Sequence, residues 1–162
     1  MVTPSHLFTI LGGKWTTFRK MGEDMVDRVE KELQWQHKKT ATKQLAIHGS
    51  IADVDQNDPL YFYGSDTMQV KALMNGHAGE WLSASLKIHE AQVIWAVQHE
   101  MARTVEDVLS RRTRALLLDA RESIRMAEPV AIIMAKALQK DEQWIREQVV
   151  AYTKLAEGYL LK

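Results

Sequence analysis

The chain has 162 residues, enough for one well-buried core, with 21 basic and 21 acidic side chains and no cysteine. This balance argues against recruitment of nucleic acid or of an acidic membrane by bulk charge, and the lack of cysteine excludes disulfides, thiolate metal sites and a cysteine nucleophile. The longest apolar run, residues 130–135, is too short to span a bilayer, and the residues after Met1 lack a signal-peptide pattern, so we expect a soluble, cytoplasmic chain with no transmembrane segment.

A strand, a glycine turn and a helix are predicted at the start of the chain. Residues 7–11 form a short apolar and β-branched run that ends at Gly12 and Gly13. From Thr16 the apolar spacing changes to three and four, which predicts an amphipathic helix as far as Leu33. Its apolar positions are Phe18, Met21, Met25, Val29 and Leu33. A strand is therefore predicted to lead into a helix through Gly-Gly-Lys.

The residues of this turn suit the binding of an anion or a polar oxygen. Two glycines allow a tight turn and close approach of a ligand, and the first N–H groups of the helix lack partners within the helix. Lys14 adds a positive charge, while Thr16 and Thr17 add hydroxyls. A P-loop is excluded because Phe8 occupies the position of its first glycine and Trp15 the position of its Ser or Thr. An ordinary turn with a solvated lysine is the alternative.

Residues 37–64 form a predicted connector rich in turn-forming residues. Asp53, Asp55 and Asn57 have the spacing that begins an EF-hand loop. However, Asp58 occupies the position of the required glycine, and Gly64 that of the bidentate glutamate. We therefore predict Asx turns and no metal site, with residues 60–63 anchoring the connector on the core.

Almost everything from Ser65 onward predicts helix. One helix is expected from Ser65 or Asp66 to Leu73, and another over residues 88–101. Thr104 and Asp107 resemble a capping box that opens a further helix. This helix is expected to bury Val105, Val108 and Leu109.

The last part of the chain continues this pattern. Residues 115–126 predict a helix, and Pro129 is expected in the first turn of the next one. Asp141 is predicted to cap the final helix. The buried seam of that helix is predicted at Ile145, Val149, Tyr152, Ala156 and Tyr159. The fold class is therefore mainly α: a bundle of about five or six helices preceded by an orphan strand, turn and helix.

Other candidate sites in the bundle are weak. His89-Glu90 and His99-Glu100 begin like a zinc-protease motif, but Val93 and Arg103 occupy the position of its second histidine. A basic cluster at Arg111, Arg112 and Arg114 is expected to form ion pairs or domain contacts; phosphate or nucleic-acid binding is the weaker alternative.

Three motifs, in order along the chain, resemble the C-terminal portion of FAD-dependent glycerol-3-phosphate dehydrogenases. They are LGGKWTTFRKM at residues 11–21, DPLYFYGSD at 58–66 and WAVQHEMARTVEDVLSRRTR at 95–114. The resemblance implies that residues 1–36 are a remnant of the FAD-binding domain, 37–64 the connector and 65–162 the helical cap domain. It also implies partners: the N-terminal FAD and substrate domains, glycerol 3-phosphate and a quinone.

The resemblance further implies a role for the glycine turn. The parent enzyme is expected to transfer hydride from glycerol 3-phosphate to flavin, with Lys14 as the catalytic residue. Gly12, Gly13, Lys14, Thr16 and Thr17 are the expected FAD contacts, and Trp15 and Phe18 are expected to be packing residues.

The segment by itself is expected to be inactive and to lack FAD, because it contains no dinucleotide-binding glycine fingerprint. The parent is expected to be peripheral on the cytoplasmic membrane. No nucleic-acid partner is expected. The alternative hypothesis is a helical protein–protein interaction module, for example one that forms a homodimer, with no catalytic role.

Overall fold

A computed structural model describes residues 3–76 and 79–161 of the chain. The fold is mainly helical, as predicted, and divides into two compact units, Met1–His48 and Gly49–Lys162. Unit 1 contains helix α1 (Phe18–Glu32), which a 3-10 turn, Trp15–Thr17, precedes. Unit 2 contains a 3-10 segment (Tyr61–Asp66), α2 (Thr67–Gly76), strands β1 (Trp81–Ser83) and β2 (Ile88–His89), α3 (Glu90–His99), a π-helical segment (Asp107–Arg112), α4 (Ala115–Leu118), α5 (Ala120–Leu138) and α6 (Glu142–Glu157).

Unit 1 has the predicted helix but not the predicted strand. Residues 7–11 are irregular apart from a single bridge at Phe8. A strand is stable only when its N–H and C=O groups pair with a neighbouring strand, and residues 3–48 supply none. No residue between 3 and 48 is buried, so the apolar stripe of α1 remains partly or largely exposed. Ion pairs such as that of Arg19 with Glu23 support the helix along its polar face.

The main core of unit 2 surrounds α5, which packs against α3, α4 and α6. Met126, Val130 and Met134 are fully buried on one face of α5. From α6, Tyr152 and Ala156 are buried in the same core, with Ile145 and Val149 packed beside them. The predicted seam of the last helix is therefore correct for four of its five positions. Tyr159 is 55% exposed because it lies beyond the end of α6.

The prediction for Pro129 was wrong. The structure has one continuous helix, α5, through this residue, whereas the sequence suggested that a new helix begins there. Proline lacks the N–H that would bond the carbonyl of Arg125, but burial of Met126 and Val130 on either side stabilises the helix. The break occurs earlier, at Asp119, whose extended backbone separates α4 from α5 and whose carboxylate accepts the N–H of Glu122 at 2.9 Å.

A short β-hairpin before α3 was missed. Ile88 and His89 pair with β1 in antiparallel fashion, so α3 begins at Glu90 and not at the predicted Ile88. His89 Nδ1 accepts the N–H of Ala91 at 3.1 Å, and the Gln92 side chain accepts the N–H of His89 at 2.7 Å. His89 is a buried capping residue, and burial holds its pKa below the ordinary value, which favours the neutral ring.

A smaller cluster anchors the connector, as predicted. Leu60 and Tyr63 pack with Val70, Ala91 and Trp95.

The predicted Asx turns are present: Asp55 accepts the N–H of Asn57 at 3.0 Å, and Asp58 accepts that of Leu60 at 2.9 Å.

Candidate functional site

The predicted turn in unit 1 has the backbone conformation that its two glycines permit. Gly12 has φ of 79° and Gly13 has φ of 95°, both in the region that residues with a Cβ rarely adopt. A Cβ on Gly13 would lie 2.0 Å from Met21 Sδ, whereas a Cβ on Gly12 would meet no atom within 4 Å. The two glycines therefore differ: both have the conformation that glycine makes accessible, and a Cβ on Gly13 would in addition displace the end of the Met21 side chain.

Thr17 closes the turn. Its Oγ1 accepts the N–H of Lys14 at 3.0 Å and donates to the Lys14 carbonyl at 2.9 Å. The N–H of Thr17 also donates to that carbonyl, at 2.9 Å. The hydroxyl proton of Thr17 is thus engaged within the protein. Thr16 is exposed, and its hydroxyl forms no hydrogen bond within residues 3–76 and 79–161. Of the two threonines, Thr16 has the hydroxyl that is available to a ligand.

Three groups at the start of the helix are open to an incoming anion or polar oxygen. The N–H groups of Trp15 and Thr16 donate no hydrogen bond to any part of the chain that the structure describes. Lys14 is exposed, and across those same residues its ammonium has no carboxylate partner. Free N–H groups at a helix start together with a cation form an environment of positive potential.

Trp15 and Phe18, expected to be packing residues, contact each other. Their rings stack with centroids 5.3 Å apart, but Trp15 is 85% exposed and Phe18 is 57% exposed. The two rings pack on each other, but neither is buried, because residues 3–48 contain no buried side chain. Within unit 1 they form an apolar surface beside the glycine turn.

A group of potential metal ligands in unit 1 was not recognised from the sequence. Asp27, Glu30 and His37 bring their ligand atoms within 4.8 Å of one another. His37 Nδ1 lies 2.9 Å from Glu30 Oε2, so a hydrogen bond already accounts for this pair. Lys39 and Lys43 line the same cleft and oppose a bound cation by charge repulsion. The spacing of three between the carboxylates was the only sequence signal.

The basic cluster of unit 2 is largely engaged in internal contacts. Arg111 pairs with Glu106 at 2.6 Å and with Asp107 at 3.0 Å. Arg112 donates to the Glu100 carbonyl through two nitrogens, at 3.1 and 2.6 Å. Arg112 also lies 3.8 Å from a carboxylate oxygen of Glu100, so the expectation of ion pairs is correct for both arginines. Burial raises the pKa of Glu100, whereas the charge of Arg112 acts in the opposite direction.

Comparison with known proteins identifies the family. A family model described as the C-terminal domain of alpha-glycerophosphate oxidase matches residues 8–145. The chain belongs to this family. The matched region includes the glycine turn, α1 and the core helices of unit 2 up to the start of α6.

The relatives are glycerol-3-phosphate dehydrogenases. The enzyme of Synechocystis is 31% identical over 128 residues, which cover 67% of this chain and 23% of the relative. A probable mitochondrial enzyme of Dictyostelium discoideum is 31% identical over 98% of this chain and 27% of its own length. The human mitochondrial enzyme is 25% identical over 91% of this chain and 23% of its own. The chain thus spans about a quarter of the relatives' length. No solved structure matches it.

Proposed function

We propose that this chain is the C-terminal part of an FAD-dependent glycerol-3-phosphate dehydrogenase. The observation that carries the proposal is the family match over residues 8–145, which contains the Gly12-Gly13-Lys14 turn with its free N–H groups and exposed lysine. The names of the relatives support glycerol 3-phosphate as the substrate.

In the proposed reaction, C2 of glycerol 3-phosphate loses a hydride and its hydroxyl loses a proton, which gives dihydroxyacetone phosphate. Bound FAD would supply the acceptor for the hydride, and a quinone or oxygen would take up the two electrons. The N-terminal domains of the parent hold most of the cofactor and the substrate. We propose that the parent acts on the cytoplasmic side as a peripheral membrane protein. In the described residues, no helix is both long and apolar enough to cross a bilayer.

The glycine turn fits the pyrimidine side of a flavin ring on the chemistry of its donors. Reduction increases negative charge toward N1 and the C2 carbonyl of the flavin, so a lysine and free N–H groups at that position favour reduction. We assign this electrostatic role to Lys14, supported by the N–H groups of Trp15 and Thr16. Gly12 and Gly13 allow close approach, Thr16 supplies a hydroxyl, and Thr17 holds the turn in place.

The test is the rate of flavin reduction in a full-length enzyme that contains this segment. Lys14→Met removes the charge while retaining an exposed side chain of similar length, so we expect reduction by glycerol 3-phosphate to slow by about a hundredfold, the loss of one electrostatic donor. Lys31→Met, at an exposed position of α1, is the control and should leave the rate unchanged. Equal reduction rates for Lys14→Met and the wild type would overturn the assignment.

The second candidate function is a helical interaction module. Large apolar side chains are exposed on the last three helices of unit 2, as they would be on a surface that contacts a partner. Those on α4, α5 and α6 are Leu117, Leu118, Ile132 and Val150. If these residues form a homodimer, the purified chain should elute as a dimer over a hundredfold dilution, and Ile132→Asp should convert it to a monomer. A monomer at every concentration would count against this function.

A further inference from the structure

Unit 2 contains a cavity of about 540 Å³ whose charged lining residues are all basic. Four basic residues line it: Lys87, Arg111, Arg112 and Arg114. None of the lining residues is acidic. The volume lies within the range of about 300–1,000 Å³ that is typical of small-molecule sites, and it exceeds the needs of an inorganic ion.

Two of the four basic side chains form ion pairs or hydrogen bonds within the protein, and the other two form neither. Arg111 pairs with Glu106 and Asp107, and Arg112 is bonded to Glu100. Lys87 and Arg114 form no ion pair or side-chain hydrogen bond with any residue in 3–76 or 79–161. The cavity therefore has about two uncompensated positive charges at its wall.

Both free cations lie at strained backbone positions. Lys87 has φ of 56° and Arg114 has φ of 59°, a left-handed conformation that is unfavourable for side chains with a Cβ. Lys87 follows Leu86 in the hairpin connection, and Arg114 immediately precedes α4. Residues held in such conformations concentrate at ligand sites, because selection for binding can outweigh the cost to folding.

Two aromatic rings add an apolar surface to the wall of the same cavity. Tyr61 is 48% exposed and Phe62 is 51% exposed, with ring centroids 5.8 Å apart in an edge-to-face arrangement. Both rings line the cavity. Half-exposed aromatic faces beside unpaired cations suit a ligand with one anionic end and one apolar part.

We propose that this cavity binds a phosphate monoester that carries an apolar group. A phosphate monoester has a charge of about −1.5 to −2 at pH 7, which matches the two free cations. The guanidinium of Arg114 can bind two phosphate oxygens, Lys87 supplies a point charge, and the apolar group lies against Tyr61 and Phe62. This inference does not depend on the function proposed for the glycine turn, and its test requires no flavin.

The test is calorimetric titration of the 162-residue chain with phenyl phosphate as the probe. Lys87→Gln and Arg114→Gln should each weaken binding about tenfold, the loss of one charged contact at an exposed site. Lys87→Arg keeps the charge and should bind like the wild type. Arg121→Gln, at an exposed position of α5 that does not line the cavity, is the matched control. Thermal unfolding of each variant verifies that the fold is intact.

Two further titrations distinguish the source of the phosphate and test the aromatic wall. Vesicles of phosphatidylcholine with and without phosphatidic acid replace phenyl phosphate in a parallel titration. Binding to phenyl phosphate supports a soluble ester, and binding only to phosphatidic acid vesicles, lost in the Lys87→Gln/Arg114→Gln double variant, supports a lipid headgroup. Phe62→Ala should weaken phenyl phosphate more than inorganic phosphate. The proposal is overturned if neither probe binds, or if the double variant binds like the wild type.

Discussion

Asp107 is the residue whose replacement tests the organisation of unit 2 most directly. Its Oδ2 accepts the backbone N–H groups of Arg103 and Thr104, both at 3.0 Å, and its Oδ1 accepts from Arg111 at 3.0 Å. In return, Thr104 Oγ1 accepts the N–H of Asp107 at 3.1 Å. These contacts form the reciprocal cap that holds the segment from Arg103 into the π-helical turn.

The expected loss of stability in Asp107→Ala follows from the contacts that the substitution removes. Asp107→Ala removes a helix cap, which costs about 0.5–2 kcal/mol, and leaves two N–H groups without their charged acceptor. The exposed pair with Arg111 adds less than about 1 kcal/mol. We expect Asp107→Ala to lower the free energy of unfolding by about 2–3 kcal/mol in total. For a unit of this size, 1 kcal/mol lowers Tm by about 4 °C, so the expected decrease is about 8–12 °C.

The assay is thermal unfolding followed by circular dichroism at pH 7. Asp107→Asn keeps an acceptor oxygen and loses only the charge, so we expect a decrease of about 4 °C. Glu106→Gln is the matched control, because Glu106 also binds Arg111 but accepts no backbone N–H. The reasoning is refuted if Asp107→Ala melts within about 2 °C of the wild type, or if Glu106→Gln is equally destabilised.

The same residue predicts a pH dependence. Burial opposes ionisation of Asp107, but hydrogen bonds from the N–H of Arg103 and from Thr104 outweigh it and hold the pKa below its ordinary value. Because the folded pKa is lowered, its stabilisation is fully present above the unfolded pKa of about 4 and is lost as pH falls through the folded value. The difference in Tm between wild type and Asp107→Asn should therefore shrink below about pH 4; a constant difference would contradict this account.

Two further predictions concern unit 1 and the whole chain. Gly13→Ala should reduce hydrogen-exchange protection in the first turn of α1 more than Gly12→Ala does, because only a Cβ on Gly13 collides with Met21. In a Met21→Ala background, the two glycine variants should lose the same amount of protection. Equal losses in the wild-type background would show that the backbone conformation alone sets the effect of each glycine substitution. The purified 162-residue chain should be colourless and should not oxidise glycerol 3-phosphate, because it lacks a dinucleotide fingerprint, and a yellow, active preparation would disprove this.

Features encoded over a few residues were predictable. The Thr104–Asp107 cap and the Asp141 cap depend on contacts three residues apart, and both are present. The buried positions of α6 follow from helical spacing alone. The Gly12-Gly13-Lys14 turn was also recognisable, since positive φ is the conformation that glycine makes accessible. The strand predicted at residues 7–11 does not form, because a strand depends on pairing with a partner strand and not only on its own composition.

The sequence by itself determined the helical fold class, the caps, the core-facing side of α6 and the family motifs, because these depend on short-range spacing and on residue type. Tertiary structure decided whether α5 continues through Pro129, where β1 and β2 pair, and which arginines are engaged. It also brought Lys87 and Arg114 to the same cavity as Tyr61. These outcomes depend on burial and pairing between residues far apart in the chain, and no local pattern records them.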